Sequence, residues 1–319
     1  MSLLAKSVAA TGRRLREIGL EQPHAADRLA LCRLVTAAAV VRTVWHMPPG
    51  EFFTEHSDLL DRARGRPERR AMPAGVYEGL RVTAVLSTTA WALGVDHPAV
   101  KLCANVSFGV LQKRVVDFHP ELWTYNSHLN AFLALLSVTE ARAAEDDEFA
   151  STTLAALQSS FACVYLQSGL AKLIGSGPSW LRGGTTRAAW GELGTPLGKR
   201  LATSDPWIAA LASAGTVAFE FGFAPALVLA WRRRALAGLA SVLFHGTVKA
   251  TMDISFWHLA WFAGPLFSVP DSVTAGIARH LRSTTRRSRR RAWAVAAGAA
   301  LSLATRSIKW RKVVARAGH

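Results

Sequence analysis

The chain has 319 residues, half of them hydrophobic, with 11 Trp, a mean hydropathy of +0.17 and 19 % charged residues, against about 25 % charged in soluble domains. That balance argues against an ordinary soluble domain and for a polytopic membrane protein. The formal net charge of +16 does not indicate nucleic acid, because the basic clusters directly follow apolar stretches, as they do in cytoplasmic loops.

Residues 1–28 form a basic segment with Arg13, Arg14 and Arg16. They lack a signal-peptide pattern, since the first apolar run begins near Leu29 and carries no small-residue cleavage site. A spanning helix needs roughly 20 mostly apolar residues, with about 17 as the lower limit. On that standard, spans are expected at 29–45, 76–95, 98–118, 122–139, 153–174, 207–231, 235–251 and 253–269, about eight in all. The third carries Lys101, Lys113 and Arg114, and the fourth opens on Thr124, Tyr125, Asn126, Ser127 and His128, so both also fit shielded or partly re-entrant segments. The 13-residue run Ala292–Ala304, flanked by arginines, suits an interfacial helix better than a span. The expected division is a basic segment 1–28, a transmembrane domain 29–269 and a basic tail 270–319.

Arg232, Arg233 and Arg234, together with the seven Arg between Arg279 and Arg291, point to the cytoplasmic side of a cytoplasmic (inner) membrane and to contact with anionic lipids. With eight spans the N-terminus, the 232–234 loop and the tail share that side, and the 175–206 loop lies outside. Arg62, Arg64, Arg66, Arg69 and Arg70 disagree, falling outside on this count beside Glu51, Glu55, Asp58, Asp61 and Glu68. A miscounted helix is the one physical account of that conflict.

Soluble-enzyme motifs are missing. The stretch from Gly194 to Lys199 has the wrong spacing for a phosphate loop, and Arg200 follows where a Ser or Thr is required. There is no HExxH, GxSxG or dinucleotide fingerprint. Cys32, Cys103 and Cys163 sit in apolar runs without CxxC spacing, so neither a disulfide framework nor a thiolate metal site is indicated and buried, inert thiols are the expectation.

Chemistry, if present, belongs to polar groups inside the apolar stretches, where each is costly and marks a functional site by default. These are His128, Lys172, Glu220 and the trio His245, Lys249 and Asp253. Lys172 lies near the end of its helix, so snorkelling to the interface competes with a buried role. His128 fits a satisfied structural histidine as well as an acid/base. The trio steps by four, which stacks it on one helix face, but a turn over Thr251–Asp253 would reduce Lys249 and Asp253 to an interfacial ion pair and leave His245 as the deeper group. Glu220, between Phe219 and Phe221, requires a cation partner, either Arg33 or Lys172.

Five stretches carry a resemblance: LALCRLVTA with Arg33, TYNSHLNAFLALLSVTEA with His128, YLQSGLAKL with Lys172 followed by SWLRGG, AFEFGFAPALVLAWRRR with Glu220, and LFHGTVKATMDISFWHLAWF with His245. In order and spacing, over about residues 29–269, the chain resembles the HTTM family, bacterial relatives of the membrane part of vitamin K-dependent gamma-carboxylase. The resemblance implies an all-α polytopic bundle. It implies that Lys172 is the base that deprotonates a reduced quinone, with O2 or CO2 as co-substrates, and that His128 assists. The chain lacks the large extramembrane region with which carboxylases hold a protein substrate, so a small apolar or isoprenoid-like substrate is expected instead.

The expected function is therefore Lys/His proton transfer on a quinone or isoprenoid-like lipid by Lys172 and His128, supported by His245 and Glu220, in an oxidation or carboxylation, or an isomerisation or cyclisation. The alternative is a non-enzymatic membrane protein, an immunity, lipid-binding or transport-accessory factor. Membrane lipids are the expected surroundings, and the sequence names neither a cofactor nor a protein partner of its own.

Overall fold

The computed structural model describes residues 3–53, 72–118, 122–282 and 286–317, and no strand occurs among them. Arg62, Arg64, Arg66, Arg69 and Arg70 lie outside the described residues, as do the side chains of Trp123, Thr124, Tyr125, Asn126 and Ser127. The chain forms two compact units, one of residues 1–32 with 139–275 and one of residues 33–138 with 276–319.

The helices are α1 (Leu3–Leu20), α2 (Ala25–His46), α3 (Ala74–Ala92), α4 (Pro98–Phe118), α5 (Leu122–Ala143), α6 (Asp147–Ser176), α7 (Gly184–Leu193), α8 (Pro196–Ala202), α9 (Pro206–Leu229), α10 (Arg234–Met252), α11 (Trp257–Ala263), α12 (Asp271–Arg282) and α13 (Arg286–Ala317). Four apolar segments among the described residues are long enough to cross a membrane: Ala25–His46, Asp147–Arg182, Pro206–Leu229 and Trp231–Met252. The outward sides of the last two carry Leu211, Leu229, Leu236, Leu239 and Leu243, all exposed, which suits contact with lipid rather than water.

Two sequence expectations change. Residues 253–269 do not make one helix: α11 has 7 residues and a 5-residue π turn, Gly264–Ser268, follows it. At about 1.5 Å per residue that falls well short of a hydrocarbon core of about 30 Å, so this stretch is too short for the expected eighth span. The apolar run Ala292–Ala304 is the middle of the 32-residue α13, not a separate short helix.

In the first unit, α6 starts at Asp146, whose carboxylate accepts the Phe149 N–H at 2.9 Å, with Asp147 and Glu148 in the first turn; both choices satisfy the free donors and positive end of a helix N-terminus. It stops at Gly177, where φ is 63°. A 3₁₀ turn, Gly177–Arg182, leads to Gly183 at φ 79°. A Cβ there would strike the backbone of Ala209 and Ala210, so this glycine lets α9 approach closely. α9 opens on Pro206 in its first turn, and α10 ends with Asp253 in the left-handed region at φ 56°.

Between α6, α9 and α10 lies an aromatic interior. Tyr165 and Phe223 have ring centroids 4.6 Å apart, Phe219 stacks on Phe244 at 4.4 Å, and Phe161 meets Phe267 at 5.5 Å. Such pairs each add about 0.5–1.5 kcal/mol beyond area burial. At the end of α9, Ala10, Arg13, Arg14 and Glu17 of α1 face the turn Leu229–Arg233 across a cavity of about 460 Å³.

In the second unit, α3 buries Tyr77, Arg81, Ala84, Val85 and Trp91. Arg81 pairs with Glu78 at 3.0 Å and donates to the Val44 carbonyl at 3.1 Å, so this buried guanidinium is neutralised in place. α13 sets Ala292 and Ala296 against Ala90 and Val95, a contact that small side chains make close.

Candidate functional site

The α6 helix repeats polar and aromatic groups at helical spacing along one face, with Phe161, Tyr165, Ser168 and Lys172 three or four residues apart. Those side chains meet α9 and α10 within the first unit, giving two polar groups one helical turn apart.

The outer group is an ion pair. Lys172 Nζ lies 2.5 Å from Glu220 Oε1 and donates to Ser168 Oγ at 2.7 Å, while Ser168 in turn donates to the same carboxylate oxygen at 2.9 Å. The Glu220 side chain is 4 % exposed and that of Lys172 is 19 %. Trp180, from the 3₁₀ turn, places its ring 5.8 Å from Lys172 Nζ, within cation–π range. Gly169 allows this closeness: a Cβ at that position would sit 2.9 Å from the Phe221 ring and 3.2 Å from Glu220 Cβ.

The inner group is a hydrogen-bonded cluster. Tyr165 Oη lies 2.6 Å from Ser241 Oγ and 2.9 Å from His245 Nε2, all three residues being buried. Phe244 and Phe256 flank the imidazole, their centroids each 5.3 Å from it. Glu220 Oε2 and His245 Nδ1 are buried and have no hydrogen-bond partner among the described residues. Each such atom in an apolar interior carries a desolvation cost of about 1–3 kcal/mol.

The structure brings Lys172, Glu220 and His245 into the first unit and gives Glu220 the Lys172 partner, leaving Arg33 in the second unit. His128 belongs to the second unit, where it is buried and edge-on to Phe132 at 6.0 Å. Lys249 and Asp253 form an exposed ion pair at the end of α10, away from the buried face. Cys32 is buried, but Cys103 and Cys163 are exposed; a membrane helix carries apolar residues on its lipid-facing side too, so an apolar run does not imply burial. No group of three or more His, Cys, Asp or Glu suited to a metal occurs among the described residues.

Sequence reasoning gave no role to Tyr165, Ser168, Ser241 or Trp180. Tyr165 and Ser168 were detectable as positions seven and four residues before Lys172. Trp180 lies in the SWLRGG stretch but has no role of its own in the sequence, and Ser241 carries no local signal; both join the site only through tertiary contact.

Compared with protein families, curated proteins and solved structures, the chain gives no match. The class is therefore defined by the molecule itself: an all-helical protein with four candidate membrane-spanning segments among its described residues.

Proposed function

We propose that the chain is a multi-pass enzyme of the HTTM type in the cytoplasmic membrane, acting by proton transfer on a small quinone or isoprenoid-like lipid. The observation that carries this reading is the Lys172–Glu220 pair, an ammonium and a carboxylate 2.5 Å apart within an apolar bundle. Two opposite charges that close in a low-dielectric site can become neutral by moving one proton from nitrogen to oxygen. The amine so released takes the proton of a substrate hydroxyl, becoming ammonium again beside the oxyanion it has made. Glu220, then protonated, adds no competing negative charge. Ser168 bridges the two groups, and the Tyr165–His245 cluster one turn further along α6 offers a second position from which a proton can be returned.

Two features support the topology in this proposal. α3, α4 and α5 have 19, 21 and 22 residues, enough to cross beside the four apolar segments. Six crossings between α1 and the 232–234 turn would leave these two arginine-bearing segments on one side, in keeping with the cavity they share. The polybasic turn makes that side the cytoplasm.

The competing reading is a non-enzymatic membrane protein in which Lys172 and Glu220 only hold α6 to α9. Profiling the lipid-phase metabolites of a deletion strain against the same strain carrying the wild-type gene separates the two. Accumulation of one hydroxyl-bearing lipid in the deletion supports the enzyme, and identical profiles refute it.

A further inference from the structure

The cavity at the end of α9 joins two arginine pairs that are far apart in the chain. α1 contributes Arg13 and Arg14, and the tight turn after α9 contributes Arg232 and Arg233. Four arginines and one acidic residue, Glu17, thus line a cavity of about 460 Å³. Two other arginines of this unit are neutralised directly: Arg16 pairs with Glu21 at 2.9 Å and Arg28 with Asp271 at 2.7 Å. The four arginines around the cavity have no side-chain ion pair or hydrogen bond among the described residues. Their mutual repulsion is relieved by an anion. Arginine also suits one kind of anion in particular, because its planar fork of donors matches the oxygens of a phosphate. Trp231, which also lines the cavity, is 6 % exposed and has the Arg234 guanidinium 5.2 Å from its ring.

We infer that this cavity is a binding site for a phosphate-bearing group, held by Arg13, Arg14, Arg232 and Arg233. The same chemistry is offered by a phospholipid headgroup and by a soluble phosphate ester, and two probes distinguish them. Binding of pyrophosphate is measured by calorimetry on the full chain in a neutral detergent. Thermal unfolding is measured on the full chain in phosphatidylcholine nanodiscs with and without phosphatidylglycerol. Stabilisation by phosphatidylglycerol without binding of pyrophosphate assigns a lipid headgroup, and binding of pyrophosphate alone assigns a soluble ester. The Arg13→Gln, Arg233→Gln double variant should weaken whichever interaction is seen by about tenfold or more. Arg200→Gln, an exposed arginine elsewhere in the same unit, should leave it unchanged. If the double variant does not fold in phosphatidylcholine, Arg14→Gln replaces it, with the same direction expected. Failure of both probes to bind, or equal binding by wild type and the arginine variants, overturns the site.

Discussion

Lys172 Nζ and Glu220 Oε1 lie 2.5 Å apart, although 48 residues separate them in the chain. The pair is asymmetric, since the carboxylate is almost fully buried and the ammonium, at 19 % exposure, is close to the surface of the bundle. Losing either partner therefore has different consequences. Lys172→Met strands a buried carboxylate and should destabilise by about 3–5 kcal/mol. Glu220→Gln should cost less, because a long lysine side chain can redirect its charge outward. The Lys172→Met, Glu220→Gln double variant should recover much of the loss. Thermal or denaturant unfolding in detergent, read as a double-mutant cycle, gives the coupling directly; additive losses would show that the pair is not formed.

Gly169 is the position through which the helix packing and the ion pair are most tightly linked. A Cβ added there would lie 2.9 Å from the Phe221 ring and 3.2 Å from Glu220 Cβ, so a methyl group fits only if a neighbour moves. Gly169→Ala should push α6 from α9, costing about 1–3 kcal/mol by overpacking, and should reduce cellular product even where the protein still reaches the membrane. A thermal midpoint equal to that of the wild type would contradict the close approach.

Tyr165 connects Ser241 and His245 through one hydroxyl. Tyr165→Phe keeps the ring among Phe161, Phe219 and Phe223 but leaves two buried polar groups without that partner, at a cost of about 1–3 kcal/mol. The Tyr165→Phe, Ser241→Ala double variant should lose less than the sum of its single changes. Unfolding measurements on the three proteins check this, and strict additivity would remove the proposed cluster.

How much of this was legible in the sequence differs residue by residue. Apolar runs marked α2, α6, α9 and α10 within a few residues, because a membrane core demands both length and hydrophobicity. The same rule misread 253–269, where Pro265 interrupts an apolar stretch that Pro270 closes, and the chain takes a 7-residue helix and a π turn. Glu220 revealed its need for a cation by lying between two phenylalanines, yet the choice of Lys172 over Arg33 required the register of α9 against α6. Gly169 and the shared cavity of Arg13 and Arg233 were invisible, since each depends on which remote segment lies alongside.

The turn at Arg232–Arg234 should face the cytoplasm, on the same side as α1. In an Arg233→Cys variant made with Cys103→Ala and Cys163→Ala, a membrane-impermeant thiol reagent should label position 233 only after the membrane is opened. Labelling from outside intact cells would reverse the orientation.

The central claim is that Lys172 takes up a proton rather than merely anchoring a helix. Lys172→Arg tests it most directly, because arginine keeps the positive charge, can still pair with Glu220 and can still reach the interface, yet with a pKa above about 12 it does not act as a base. In a deletion strain carrying the variant, normalised to protein in the membrane, the lipid product should be as absent as in the deletion itself. Product restored to the wild-type level by Lys172→Arg would contradict the account and leave the pair a structural one.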